Sequence, residues 1–295
     1  AAPVGDMELA KGDFKSLLAC QGPDGGWGYR GGSSWTEPTA YALLALVAAG
    51  ETGPSWRQGL EWLSRQQRAD GGWPPHPGVQ ESTWVTCLPL LLPVVEPERW
   101  DSARAVRWLL EQSGRESGFW LRLRQLLLGV PAEERTSHPG WPFYPGTAAW
   151  VAPTALTILA LEKRPSGPQS KEVRERLGAG REYLLAKRCR DGGWNHGSSR
   201  ILGYEVGSYP ETTGLALLAL HSVSSDRLAL SLRVGAELYR GCRSAEGLAW
   251  LRLGLLAHGR QPGRFPAEPR RRTVVEVALW VLAEAAAGGR NLLLN

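Results

Sequence analysis

Glutamates at one place in a recurring phrase are the residues of this sequence best suited to chemistry. Glu37, Glu81 and Glu211 each open an apolar run and are followed two positions later by threonine, while Glu205 lies in a segment that occurs once. Carboxyl groups serve as general acids and bases, and two of them about 5 to 9.5 Å apart hydrolyse glycosides. These four glutamates are therefore the candidate catalytic groups, and the candidate carboxylate pairs are Glu205 with Glu211 and Glu37 with Glu81.

The repeated glutamates also have a purely structural interpretation. A carboxylate just before a helix accepts backbone N–H bonds and faces the positive end of the helix dipole, which stabilises the helix by about 1 kcal/mol. A feature that three of four repeats share favours a role in the shared fold.

Aromatic residues, with one histidine, form the candidate binding set. Several stand at or just before the starts of the same apolar runs, and others lie in the loops that break the repeat spacing. Such rings pack against an isoprenoid chain and stabilise a carbocation by about 0.5 to 2 kcal/mol per face; ordinary core packing is the alternative. The set comprises Trp35, Trp84, Tyr144, Trp150, His196, Tyr204 and Tyr209.

The cysteines and histidines predict no metal site. The four cysteines lie far apart without a C-x-x-C pair, which is typical of a reduced intracellular protein. Cys242 and His258 can approach each other, but a zinc site needs at least three protein ligands. We expect neither metal nor other cofactor.

A tetrapeptide positions these residues. Asp24-Gly-Gly-Trp27 recurs as Asp70-Gly-Gly-Trp73 and Asp191-Gly-Gly-Trp194, with a degenerate copy at Gly140-Trp141 and a period of about 46 residues stretched by insertions. Each copy follows an amphipathic stretch. Because two glycines permit positive φ and aspartate bonds to its own backbone, the tetrapeptide predicts a helix stop and a tight turn.

A second helix is predicted after each turn. The runs that begin at Glu37, Glu81, Ala152 and Glu211 are apolar on every face, so each must be covered on all sides. We place them inside a ring of amphipathic helices, and the tail supplies further helices. The sequence thus predicts an all-α (α/α)6 barrel, a single domain over 1–295, with insertions at 113–139 and 195–208 and residues 1–6 interpreted as a vector remnant before Met7.

The phrase around each turn resembles a known superfamily. Gln21-Gly-Pro-Asp-Gly-Gly-Trp27 and Gln67-Arg-Ala-Asp-Gly-Gly-Trp73 are similar to the QW repeat of squalene cyclases and the related repeat of protein prenyltransferase β subunits. The resemblance covers nearly the whole chain and implies an α/α toroid with a central apolar cavity.

The same resemblance identifies which catalytic motifs are missing. Aligning the D-x-D-D-T-A motif of the cyclases on Thr39-Ala40 leaves only its middle acid, as Glu37. The D-D-x-x-D motif of metal-dependent terpene synthases is absent, as is the Asp-x-Cys of the zinc-binding prenyltransferases. A lone carboxyl group with a pKa near 4 protonates an unactivated alkene poorly.

The composition and charge of the chain limit the kinds of partner that it is expected to bind. The chain is 43% hydrophobic and 21% charged, with a net charge of +5, which excludes disorder. No concentrated basic face or nucleic-acid module is recognisable. No apolar run reaches the roughly 20 residues of a membrane helix and no secretory signal is seen, so a cytoplasmic location is expected. Arg270–Arg272 is a candidate for peripheral contact with anionic lipid.

Three functions remain open from the sequence. The leading hypothesis is an isoprenoid-handling protein, either a cyclase or prenyltransferase-like enzyme or a binder of a hydrophobic isoprenoid. The second is a noncatalytic toroid that docks a protein partner at its rim, marked by an exposed apolar patch. The third is a carbohydrate-active enzyme whose tryptophans stack on sugars.

Overall fold

The computed structural model describes residues 14–94, 98–115, 138–164, 170–197, 200–201 and 204–294. Residues 165–169, most of the insertion at 113–139 and part of that at 195–208 lie outside this set. Within it, residues 14–19 are helical. The other helices are α1 Thr36–Ala48, α2 Pro54–Arg65, a 3-10 turn Trp84–Thr86, α3 Cys87–Leu91, α4 Ser102–Glu111, α5 Val151–Glu162, α6 Ser170–Ala186, α7 Pro210–Ala219, α8 Ala229–Gly241, α9 Ala245–Ala257 and α10 Val274–Ala287.

Six apolar helices form a closed inner ring. Neighbouring helices pack in the order α1, α3, α5, α7, α9, α10, and α10 packs back on α1. Most residues of these helices are buried; in α1 only Glu37 and Val47 keep partial exposure. Helices α7 and α9 approach so closely that a Cβ on Gly214 would lie 2.3 Å from the backbone nitrogen of Leu251. The inner ring and its closure confirm the (α/α)6 toroid.

Amphipathic helices cover this ring from outside. In α2 the buried residues Gly59, Leu60, Trp62 and Leu63 follow helical spacing and leave the opposite face to solvent, as expected of a helix with one apolar stripe. The helices α4, α6 and α8 pack in the same way on α3, α5 and the α7–α9 pair. Outer and inner helices thus alternate along the chain from residue 14 to α9, and α10 then follows α9 without an outer helix between them.

The repeated tryptophans join the two layers. Each is at most 2% exposed; its indole N–H donates to a leucine carbonyl of the outer layer over 2.6–2.8 Å, and its backbone N–H donates to a threonine hydroxyl of an inner helix over 2.8–2.9 Å. The hydroxyl-bonded pairs are Trp27–Thr39, Trp73–Thr86, Trp141–Thr154 and Trp194–Thr213.

The Asp-Gly-Gly turns have the predicted geometry. Gly25, Gly71 and Gly192 have φ between 94° and 100°, and the aspartate of each turn accepts a hydrogen bond from the second glycine over 3.0–3.2 Å. In the first two copies the side-chain amide of the preceding glutamine donates one hydrogen bond to a backbone carbonyl of the turn and another to a backbone carbonyl of the neighbouring repeat. The turn is therefore a hydrogen-bonded junction between repeats as well as a helix stop.

The degenerate copy is completed by a residue from another helix. Arg176 of α6 donates to the carbonyls of Gln112, Pro139 and Gly140 over 2.7–3.1 Å. Its guanidinium lies 3.4 Å from the centroid of the Trp141 ring, and burial lowers its pKa to about 10. One arginine thus supplies the contacts that glutamine supplies in the first two copies.

Two details differ from the sequence-based prediction. The second inner helix was expected from Glu81, but it begins as a 3-10 turn at Trp84 and its α-helical part ends at Leu91, since Pro89 lacks a backbone N–H and Pro93 follows. The 195–208 insertion contains a two-residue antiparallel pair, β1 Arg200–Ile201 and β2 Tyr204–Glu205.

Candidate functional site

One end of the inner ring is assembled by a backbone contact that recurs around it. The residue two positions after each turn tryptophan offers its carbonyl to the first N–H of an inner helix in the adjacent repeat. The last helix completes the circle by binding the first repeat. The bonds are Thr36 N to Pro75 O, Trp84 N to Phe143 O, Val151 N to His196 O and Val274 N to Tyr29 O, over 2.9–3.1 Å. We call this end, where the inner helices begin, the mouth.

Rings at the mouth contact one another in two arcs. The arcs join residues two or three positions after a turn tryptophan to residues at the starts of inner helices, with centroid separations of 4.8–6.2 Å. Edge-to-face and tilted pairs at this separation are favourable. We call the set the aromatic belt. It consists of Tyr29, Trp35 and His76 in one arc, and Trp84, Phe143, Trp150, His196 and Tyr209 in the other.

Part of the aromatic belt faces solvent. Trp150 is 39% exposed and Tyr209 40%, and His196 between them is exposed as well. The belt therefore offers apolar ring surface to a ligand instead of burying it all in the core.

Three glutamates stand at the same helical position around the mouth. Glu37, Glu211 and Glu246 are each the second residue of their helices, α1, α7 and α9. Glu246 is close enough to Glu37 for its charge to raise the pKa of Glu37, and close enough to Glu211 for the charge of Glu211 to raise the pKa of Glu246. A Cβ on Gly247 would lie 3.0 Å from Glu211 Oε1, which places the Glu211 carboxyl against the first turn of α9, beside Glu246.

Glu37 has the most perturbed carboxyl of the three. Burial, reinforced by the charge of Glu246, raises its pKa to about 7, although the hydrogen bond donated by the Tyr29 hydroxyl to Glu37 Oε2 acts in the opposite direction. Burial and the Glu37 carboxylate likewise raise the pKa of Tyr29. Glu37 is therefore a carboxylic acid that still holds its proton near neutral pH.

Glu246 is shifted in the same direction. Burial raises its pKa, the charges of Glu211 and Glu276 add to the effect, and the Trp250 side chain lowers it. Two neighbouring carboxyl groups thus both have a raised pKa, as expected where like charges converge in a poorly solvated place.

The floor of the mouth is made of aromatic rings one turn further along two inner helices. Tyr41 of α1 and Trp250 of α9 lie with their centroids 6.2 Å apart, both almost fully buried. Since α10 separates α1 from α9 in the ring, this contact reaches across its interior. Side chains therefore meet across the interior of the expected apolar cavity at this level.

The structural interpretation of the repeated glutamates holds in part for Glu37 and Glu211. Both lie inside the first turn, where a carboxylate still faces the positive end of the helix dipole, but the described hydrogen bond of Glu37 leads to Tyr29 and not to the helix backbone. The capping bonds occur instead at Glu276 of α10: its carboxylate accepts from the backbone of Thr273, whose hydroxyl accepts from the backbone of Glu276.

The other predicted site residues are placed differently. Glu81 is exposed and lies three residues before its helix, Tyr144 is 46% exposed in the loop beside Phe143, and the side chains of Tyr204 and Glu205 lie outside the described residues. Asn195, next to His196, is buried; its side chain donates to Val206 O and accepts from Gly197 N, so it holds its loop together.

Sequence reasoning missed four residues of the mouth. Tyr29, Phe143 and His76 follow a turn tryptophan by two or three positions, and Glu246 matches the helical position of Glu37. The tail lacks an Asp-Gly-Gly-Trp copy, so its helix had not been aligned with the others. Counting from the turn tryptophan and from each helix start would have found all four.

No group of three potential metal ligands occurs among the described residues. Cys242 Sγ contacts the Ser244 carbonyl over 3.6 Å, and His258 Nε2 pairs with the Leu217 carbonyl at 2.9 Å. Each of these two side chains is thus engaged with its own surroundings. Within the same part of the chain, no helix is long and apolar enough to cross a bilayer.

Comparison with known sequences gives one partial relative. The chain is 29% identical over 195 residues to a probable squalene–hopene cyclase of Sinorhizobium fredii; the match covers 61% of this chain and 29% of the cyclase. The match thus spans less than a third of that enzyme's length. No protein-family model matches the chain.

Solved structures of other proteins share the architecture of this chain. An inactive variant of the α-1,6-mannanase GH76A of Salegentibacter sp. HEL1_6, in complex with α-1,6-mannotriose, has a TM-score of 0.56 at 11% identity, over 96% of this chain and 98% of its own. The GH76 α-mannanase of Bacteroides thetaiotaomicron has a TM-score of 0.52 at 10% identity, over 94% and 95% of the two chains. At such identities the likeness shows the toroid fold alone.

Proposed function

We propose that the mouth binds an isoprenoid-type molecule and that Glu37 donates a proton to an oxygen atom of that molecule. The observation that carries this proposal is a buried carboxylic acid, with a pKa of about 7, set among the rings of the aromatic belt. A neutral acid in an apolar, ring-lined setting suits an uncharged ligand, because no charge has to be desolvated when the ligand enters.

The strength of the acid decides which atom is protonated. An acid with a pKa near 7 is a poor donor to an alkene carbon, but it suits an oxygen that gains basicity as its bond to carbon breaks. With an isoprenoid epoxide, the Glu37 proton passes to the ring oxygen, the C–O bond electrons stay on that oxygen, and a carbocation is left at carbon. Nearby rings stabilise this cation, loss of a proton from an adjacent carbon to water restores an alkene, and solvent reprotonates Glu37.

The sequence likeness to a squalene–hopene cyclase supports the isoprenoid class. Tyr29 is the positioning residue, since its hydroxyl holds Glu37 Oε2. The contact of Tyr41 with Trp250 across the interior favours a short ligand or one bound at its end.

The test measures binding and turnover separately. The protein is incubated with epoxyfarnesol, binding is followed by quenching of tryptophan fluorescence, and products are identified by mass spectrometry. Glu37→Gln is expected to bind the epoxide but to lose turnover by about 100-fold or more, the usual contribution of a general acid. Glu81→Gln, the same change at an exposed glutamate of the equivalent phrase, is expected to retain full turnover.

Two results would reject the proposal. One is equal turnover by Glu37→Gln and the native protein; the other is failure of the native protein to bind either epoxyfarnesol or farnesol. Thermal melting of both variants shows that each is folded before its activity is compared.

A glycosidase is the second candidate, favoured by two neighbouring carboxyl groups, Glu37 and Glu246, at a mouth that also carries the exposed rings of Trp150 and Tyr209. Glycoside hydrolysis needs one ionised carboxylate next to one protonated acid, so both groups must be required for activity. Release of reducing sugar from a panel of α- and β-linked oligosaccharides, lost in both Glu37→Gln and Glu246→Gln, would establish it over the isoprenoid proposal.

A further inference from the structure

A groove on the outside of the barrel combines positive charge with an apolar floor. It encloses about 400 Å³ between α8 and the loop that follows α9. Small-molecule sites typically occupy about 300 to 1,000 Å³, so the groove is of a size to hold one molecule. We call it the α8 groove. Its lining is Leu232, Arg233, Ala236, Tyr239, Arg240, Leu255, Arg260, Gln261 and Pro262.

The floor of the α8 groove is a stripe along one helix face. Leu232, Ala236 and Tyr239 are spaced four and three residues apart on α8, so they lie on one side of it, and Leu255 of α9 lies behind them. The Tyr239 hydroxyl already donates to the Arg264 carbonyl. Leu232, Tyr239 and Leu255 are at most 3% exposed, so the apolar surface that this stripe offers a ligand comes mainly from the partly exposed Ala236.

The rim of the α8 groove carries three exposed arginines. Arg233 and Arg240 stand two helical turns apart on α8, and Arg260 faces them from the loop. Among the described residues none of the three forms a salt bridge. Three guanidinium groups around one concave surface attract an anion and can bind a carboxylate or phosphate with two parallel hydrogen bonds.

The wall that carries Arg260 is held in place by the end of α9. Gly259 has a positive φ of 68°, and the backbone N–H of Arg260 donates to the Leu255 carbonyl over 3.0 Å. This is the hydrogen-bond pattern that closes a helix C-terminus through a left-handed glycine. The groove is therefore shaped before any ligand arrives.

We infer that the α8 groove binds a single amphipathic anion, with its phosphate or carboxylate head among the three arginines and its hydrocarbon tail on the partly exposed Ala236 and Pro262. A bare inorganic anion would leave these two apolar residues uncovered, and an uncharged lipid would leave the arginines without a partner. The concave shape and the volume fit one such molecule better than a flat lipid surface.

Calorimetric titration with decyl phosphate tests this inference. The native protein is expected to bind decyl phosphate below its critical micelle concentration and to bind decanol or inorganic phosphate at least about tenfold more weakly. Arg240→Glu is expected to weaken the affinity for decyl phosphate about tenfold or more, which is the effect of losing one charge-assisted hydrogen bond. Arg107→Glu makes the same charge change on the exposed face of α4 and should leave binding intact.

A second variant separates the tail from the head. Ala236→Trp keeps every charge and fills the floor, so it is expected to abolish the advantage of decyl phosphate over inorganic phosphate. Equal loss in Arg240→Glu and Arg107→Glu would show attraction by net charge alone and overturn the inference. Binding to anionic phosphatidylglycerol vesicles without binding to monomeric decyl phosphate would also overturn it, in favour of a membrane-facing surface.

Discussion

Two buried threonines in one turn allow a direct measurement of how much the hydrogen bond between a turn tryptophan and an inner helix contributes to stability. Thr86 Oγ1 accepts the backbone N–H of Trp73 over 2.9 Å, whereas the Thr83 hydroxyl, equally buried, has no hydrogen-bond partner among the residues that the structure describes. Replacement by valine keeps the shape of the side chain and removes its oxygen. Thr86→Val leaves a buried N–H without an acceptor, which costs about 1 to 3 kcal/mol. Thr83→Val removes an unsatisfied hydroxyl and should be neutral or stabilising.

Thermal and urea unfolding, monitored by circular dichroism, compare these two variants. For a chain of this size 1 kcal/mol shifts the melting temperature by about 2 to 4 °C, so the two melting temperatures should differ by several degrees, with Thr83→Val the higher. Equal melting temperatures would refute the idea that this hydroxyl supports the junction. A larger loss in Thr83→Val would show that the Thr83 hydroxyl contributes an interaction of its own.

Three further predictions concern the turns and the mouth. Gly71→Ala should destabilise the fold by about 1 to 3 kcal/mol or more in urea unfolding, because φ is 94° and the new Cβ would lie 2.4 Å from a side-chain carbon of α4. Gly146 is the control: its φ is 74° and the space around it is open, so Gly146→Ala should cost only about 1 kcal/mol. Arg176→Met should cost about 2 to 3 kcal/mol, since buried carbonyls lose a charged donor, whereas the exposed Arg174→Met should have little effect. The pKa of Glu37 is raised to about 7, so the folded state binds this proton more tightly than the unfolded chain does. Protonated Glu37 therefore stabilises the fold at acidic pH. This contribution to the free energy of unfolding is lost as the pH rises from about 4.5 to 7, at roughly 1 kcal/mol per pH unit. Glu37→Gln should flatten this part of the stability profile, and an unchanged profile would contradict the raised pKa.

The fold was largely predictable from the sequence because its signals are local. An Asp-Gly-Gly-Trp turn and an apolar run on all helix faces are readable within one repeat, and closure of the ring follows from six inner helices. The predicted helix start at Glu81 was wrong, and the reason is also local. The prolines in and just after α3 shorten the helix, and this effect outweighs the sequence match to the other repeats.

The site was only partly predictable because it forms between repeats. Trp35, Trp150 and Tyr209 were found since each stands at a helix start. The pairing of Tyr29 with Glu37 joins two segments of one repeat through tertiary packing, and the approach of Glu246 depends on the curvature of the ring. The raised pKa of Glu37 results from that convergence, so no spacing in the sequence reports it.

The bond from Val274 N to Tyr29 O has a consequence for how the protein unfolds. In an open stack of repeats the end units have one neighbour each and fray first, so stability is a sum of local terms. Here every inner helix has two neighbours, and releasing any one of them opens the whole circle. We therefore expect slow-exchanging amide protons in α1 and α10 to be lost together with those of α5, in a single cooperative event. The circle also has a cost in folding speed, because its last contact joins segments far apart in the chain and can form only after the others.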